Sequence, residues 1–114
     1  RVLIAPQELN LQIEMACGCD LLSDVLSFTK EHSLLLTGLT NVQVVRTAEM
    51  ANIKAVVFVR GKKPDRETIA LAAAQKIPLL MTNLLLYEAC GRLYRHGLKG
   101  CSEVQERCSA ANEV

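Results

Sequence analysis

Tryptophan is absent, and two Phe and two Tyr are all the large aromatics that 114 residues contain. A chain so poor in flat side chains lacks the stacking platform on which single-stranded nucleic acid is held. An excess of one charge is missing too. Thirteen Lys and Arg stand against twelve Asp and Glu, a formal charge of +1, far from the basic footprint that neutralises duplex phosphates. Nucleic acid is therefore not an expected partner. No run approaches the ~18 consecutive apolar residues of a membrane span. The opening RVLIAPQELN lacks the charged-then-apolar layout of a signal peptide, so a cytoplasmic protein without membrane contact is expected. The first residue is Arg1 and not Met, as in a trimmed chain with sequence missing upstream.

Catalytic signatures are equally scarce. There is no GxxxxGK[ST] phosphate loop and no GxGxxG after a strand, which disfavours a nucleoside triphosphatase or a dinucleotide enzyme. His32 and His96 fall at expected helix ends, where an imidazolium is favourable by charge alone. No Ser-His-Asp or Cys-His arrangement can be assigned, so the chain is not expected to be an enzyme and implies no particular cofactor.

What is present is core. Half of the residues are apolar and 22% are charged, the balance of a single globular domain. Cys17, Cys19, Cys90, Cys101 and Cys108 make an odd number in a chain with ample apolar content, which points to reduced thiols and not to a disulfide framework.

The apolar pattern has a rhythm. A short run over 2–5 ends at Pro6, and Leu9, Leu11, Ile13 and Met15 then alternate with polar residues, as in a strand with one wet face near a sheet edge. Asp20 is placed to cap a helix reaching about residue 31, with Leu21, Leu22, Val25, Leu26 and Phe28 on its apolar face. LLLT at 34–37 predicts a strand, and Thr40 with Gln43 three residues on predicts a capping box for the helix carrying Val42, Val45, Ala48 and Met50. AVVFV at 55–59 is a β-branched strand buried on both faces. A loop over 60–64 leads to an alanine-rich helix over 65–76, then a strand over 78–81. The last helix is expected from a Thr82 or Asn83 cap to about His96, with Gly97 at its C-terminal end.

Strands starting at 34, 55 and 78 lie 21 and 23 residues apart, each followed by a helix. That is the spacing of βα units. The fold class expected is α/β, a largely parallel sheet of four to five strands with helices on both faces, over residues 1–98. Residues 99–114 are expected as a C-terminal tail, with one short helix carrying Cys101, Val104, Cys108 and Ala111 on a single stripe.

In such a sheet the strand-to-helix loops emerge at one end, where ligands commonly sit. The residues this brings to one edge are Gly18, Asp20, Thr37, Gly38, Thr40, Asn41, Arg60, Gly61, Lys62, Lys63, Thr82 and Asn83. Amides at helix starts and three cations suit a small anionic ligand. The same residues also suit plain capping and turn formation. Cys17-x-Cys19 with Cys101 and Cys108 is the only candidate metal set, although zinc sites usually show two properly spaced pairs.

The run GCDLLSDVLSF, followed by LLLTGLTNVQVVRTAEMANIKAVVFVRGKKPDRETIALAAAQKIPLLMTN and YEACGRLYRHGL, resembles the DRTGG domain. The resemblance covers most of the chain, residues 2–98, and is closest to small stand-alone forms associated with iron-only hydrogenase genes. Where the family carries the string that names it, this chain reads LNLQIEMACG. The resemblance implies an α/β fold similar to the N-terminal domain of HPr kinase/phosphorylase. It also implies a regulatory or interaction module without catalysis of its own, with a redox enzyme as partner, and a homodimer. Two functions are thus expected as alternatives: a module sensing an adenine nucleotide or other anion, or a cysteine-dependent metal or redox accessory protein.

Overall fold

The computed structural model describes residues 2–4, 13, 15–29 and 31–101, the first three by their backbone. The elements in chain order are β1 (Val2–Ile4), β2 (Met15–Gly18), α1 (Leu22–Phe28), β3 (Leu34–Thr37), α2 (Val42–Met50), β4 (Ala55–Phe58), α3 (Arg66–Gln75), β5 (Leu79–Met81), α4 (Leu86–Arg95) and β6 (Lys99–Gly100). They form one α/β sheet in the order β1-β5-β4-β3-β2-β6. Five strands run parallel, and β1 joins β5 antiparallel at one edge.

The connections decide where the helices lie. Strands β2, β3, β4 and β5 are laid down side by side in one direction, so right-handed crossovers place α1, α2 and α3 on the same face. Val25, Val44, Val45, Ala48 and Ala72 from those helices pack there on Leu35, Val56, Phe58 and Leu79. From β5 the chain must return across the sheet to reach β6 beside β2. The reversed direction puts α4 on the other face, where Ala89 packs with Leu34, Leu36, Ala55 and Val59. Alternation along β3 serves both layers, with Leu35 on one side and Leu34 and Leu36 on the other.

Local chemistry fixes the helix ends. Asn41 caps α2 by accepting from the Gln43 amide at 3.1 Å, so the box expected between Thr40 and Gln43 does not form. Thr40 instead offers its carbonyl to the Thr68 hydroxyl. Asp65 caps α3, accepting from the Thr68 amide and hydroxyl, and these two bonds hold its carboxyl below the usual range. Lys76 ends that helix in the left-handed conformation.

Other expectations are corrected as well. Asp20 does not cap α1, whose N-cap is Leu21 without a side-chain bond. The helix stops at Phe28, and of its expected apolar face only Val25 is buried, while Leu21, Leu26 and Phe28 are exposed. Thr82 and Asn83 do not cap α4, since Leu85 holds that position and the Thr82 hydroxyl accepts from the Leu84 amide within its own turn. Cys17 and Gly18, expected in a loop, close strand β2 and pair with Leu35 and Leu36. Periodicity extends the apolar run without saying which part of it pairs, and Ala16 and Gly18, with little or no side chain, are the positions that fit close beneath α4. Beyond α4, Lys99 and Gly100 pair with Met15 and Ala16, extending the sheet past residue 98. The expected tail helix from Ser102 onward, with Cys108, and the alternating stretch Leu9–Leu11 lie outside the described residues.

Candidate functional site

The C-terminal ends of the strands carry most of the residues expected to bind a ligand, and here the protein fills its own polar positions. Asp20 Oδ1 accepts from the Gly38 amide at 2.7 Å and from the Thr37 hydroxyl at 3.0 Å. The anion at the β3 loop is thus the chain's own carboxylate. Thr37 in turn accepts from the Leu39 amide.

The parallel sheet has its topological switch between β4 and β5, since α3 leaves to one face and α4 to the other. A crevice is expected at such a point. It is stitched shut. Arg60 N donates to Leu84 O and Gly61 N to Thr82 O, both at 2.8 Å, and Thr82 N donates to Phe58 O at 2.9 Å. Arg60 and Gly61, with φ of 62° and 66°, form a tight turn closed by Lys62 N donating to Val59 O. Asn83 Oδ1 lies over Gly61, and the Arg60 guanidinium lies so close over Gly38 that a Cβ there would overlap Nη2. Lys62 and Lys63 are exposed on the loop after this turn. Gly18, Asp20, Thr37, Gly38, Arg60, Gly61, Thr82 and Asn83 therefore share one edge, whereas Thr40 and Asn41 are engaged in the junction of α2 with α3.

Open volume lies elsewhere, on both sides of α4. One groove of about 700 Å³ runs between α4 and the β2–β6 edge. Ala16, Gly18, Leu36 and Gly100 contribute to its floor, and Tyr87, Cys90, Gly91 and Tyr94 to its helical wall. Arg92, Arg95 and Lys99 supply three cations against the single carboxylate of Glu88. Gly18 lets α4 pack close on β2 at one side of the groove, and Gly91 leaves open space along its helical wall. A Cβ on Gly18 would come within 2.6 Å of Cys90 Sγ, and nothing lies within 4 Å of the position a Cβ would take on Gly91. The second space, about 460 Å³ beside β4 and β5, is lined by Ile13, Leu34, Ala55, Val57 and Leu80 and is almost wholly apolar.

Of the residues expected from sequence to bind a ligand, Gly18 borders the first groove and Thr82 the second. Tyr87, Gly91, Tyr94, Arg95 and Lys99 were not anticipated. A signal for them exists: Tyr87, Gly91 and Tyr94 recur at four and three residues, one side of a helix, outside the stripe of Leu86, Ala89, Cys90 and Leu93 that faces the sheet.

The four described cysteines take separate partners. Cys17 and Cys19 pack on the α1 side of β2, with Cys17 Sγ 3.1 Å from Thr29 Oγ1 and Cys19 Sγ turned onto Leu21. Cys90 is on the opposite face. Cys101 is buried with its Sγ 3.4 Å from Ser33 Oγ. Among the described residues no three His, Cys, Asp or Glu side chains are grouped to hold a metal ion. Burial pushes the Cys17 and Cys90 thiols above their usual range, and for Cys17 the Thr29 hydrogen bond only partly opposes it. Both are protonated at neutral pH, and the thiol is the poor nucleophile. Titration of the native protein with an aromatic disulfide at pH 7 is accordingly expected to modify Cys17 and Cys90 at least tenfold more slowly than after denaturation. Equal rates would show that burial does not protect them.

No described helix is long and apolar enough to cross a membrane. No known family model matches the chain, and no curated protein matches it either.

Proposed function

We propose that the chain is a regulatory module of the DRTGG type that binds a small anionic ligand in the groove between α4 and β2–β6 and reports its occupancy to a partner enzyme. The observation that carries this reading is the groove itself: about 700 Å³, within the size range of small-molecule sites, with Arg92, Arg95 and Lys99 outnumbering Glu88 along it. The strand-end edge supports it by contrast, because there Asp20 already occupies the Gly38 amide and backbone bonds close the switch point. The resemblance to stand-alone hydrogenase-associated domains supports a redox enzyme as the partner. Homodimerisation belongs to the same reading and is supported by Phe28 and Met50, each 72% exposed; light scattering that finds a monomer at high concentration removes it.

The test is a thermal-shift screen with inorganic phosphate, ribose 5-phosphate and adenine nucleotides at low ionic strength. At least one is expected to raise the melting temperature, and the double variant Arg95→Ala/Lys99→Ala is expected to lose most of the rise. Both side chains are exposed, so the variant folds normally. The absence of any shift with all three probe classes defeats the proposal. The cysteine-dependent alternative would draw support from stoichiometric metal or colour in anaerobically purified protein.

A further inference from the structure

The groove holds more than cations, and its non-ionic part narrows the ligand class. Tyr87 is 88% and Tyr94 57% exposed, and both border the groove from the same side of α4. They are the chain's only tyrosines. Gly91 stands between them at i+4 from the first and i−3 from the second. In an exposed helix interior a glycine is less favourable than alanine. Its effect here is a notch of open space over the helix backbone, with Tyr87 and Tyr94 bordering the same groove about one turn to either side.

A flat ring laid over Gly91 lies within about one helical turn of both tyrosines, and base–aromatic stacking tolerates any base. Arg95 lies four residues beyond Gly91, about 6 Å along the axis at the α-helical rise. Lys99 borders the groove further on. The arrangement from notch to cations is a ring site, a gap of roughly one sugar's length, and an anion site.

Resting on the anion-binding reading above, we infer that the ligand is a nucleoside monophosphate, its base over Gly91 between Tyr87 and Tyr94 and its phosphate at Arg95 and Lys99. The helix wall offers no deep recess around the base edge, so purine and pyrimidine monophosphates are expected to bind within about tenfold of one another.

Isothermal titration of the full chain with AMP, UMP, ribose 5-phosphate, inorganic phosphate and adenosine tests this. AMP and UMP are expected to bind at least tenfold more tightly than ribose 5-phosphate, as loss of a stacked base implies. Tyr87→Ala is expected to weaken AMP about tenfold while leaving phosphate unchanged. Gly91→Leu, which fills the notch without entering the core, is expected to abolish AMP binding and spare phosphate, and its circular dichroism checks that α4 is intact. Ribose 5-phosphate binding as tightly as AMP overturns the ring site and leaves the anion site standing. No binding by any phosphate overturns both.

Discussion

Phe58→Ala is expected to remove about 3–5 kcal/mol of unfolding free energy, the usual cost of truncating a fully buried phenylalanine. Phe58 is wholly inaccessible and sits on the central strand β4, paired with Thr37 of β3 and Met81 of β5. It packs in the same cluster as Val44, Val45, Ala48 and Ala72, so its ring joins the sheet to two helices at once. Neither neighbouring strand can collapse into the space, because each is held in register on both sides. Domains of this size are commonly stable by only 5–15 kcal/mol, so the loss is a large share of the total. Urea unfolding reads it as a lowered midpoint at an unchanged slope. Phe28→Ala is the contrast, since that ring is 72% exposed at the end of α1, and at dilute protein its removal is expected to cost under about 0.5 kcal/mol. Equal costs for the two would mean that the apolar face read into α1 from sequence is buried after all.

The difference between these two phenylalanines also explains what could be read in advance. The strands Leu34–Thr37 and Ala55–Phe58 are continuous apolar runs with no competing interpretation, and their burial on both faces follows from composition alone. Asp65 precedes its helix and bonds within three residues, so local chemistry decides its role. Asp20 also precedes a helix, yet its acceptor oxygen serves Gly38, 18 residues away. A carboxylate before a helix looks the same in sequence whether its donors are local or distant, and only the pairing of β2 with β3 brings Gly38 within reach. The same limit hid the groove. Gly18 on β2 and Gly91 on α4 are far apart in the chain, and neither predicts a cavity until the return of α4 across the second face lays Cys90 and Leu86 on Gly18 and leaves Gly91 along the groove. Strand β6, two residues long, has no periodicity to detect.

That opposition of β2 and α4 yields the second large effect. Gly18→Ala is expected to destabilise the protein by about 1–3 kcal/mol, as overpacking of a close contact does. The added Cβ would lie 2.6 Å from Cys90 Sγ and 3.2 Å from Leu86 Cδ1. A cysteine has one rotatable bond before its sulfur, so strain that a turn about that bond does not relieve passes to the helix backbone and moves α4 outward from the sheet. Cys90→Ala removes the obstructing sulfur. The double variant Gly18→Ala/Cys90→Ala is expected to be more stable than the sum of the two single changes predicts, with a coupling of about 1 kcal/mol or more, as for touching residues. Strict additivity within 0.3–0.5 kcal/mol would place the two groups out of contact. The cycle bears on function as well, because Gly18 and Cys90 border the groove that Tyr87, Gly91 and Tyr94 line. AMP affinity is expected to fall in Gly18→Ala, where α4 is displaced, and to recover in the double variant, where it can settle back. Affinity that stays low despite recovered stability would mean that the Cys90 thiol itself contributes to the site.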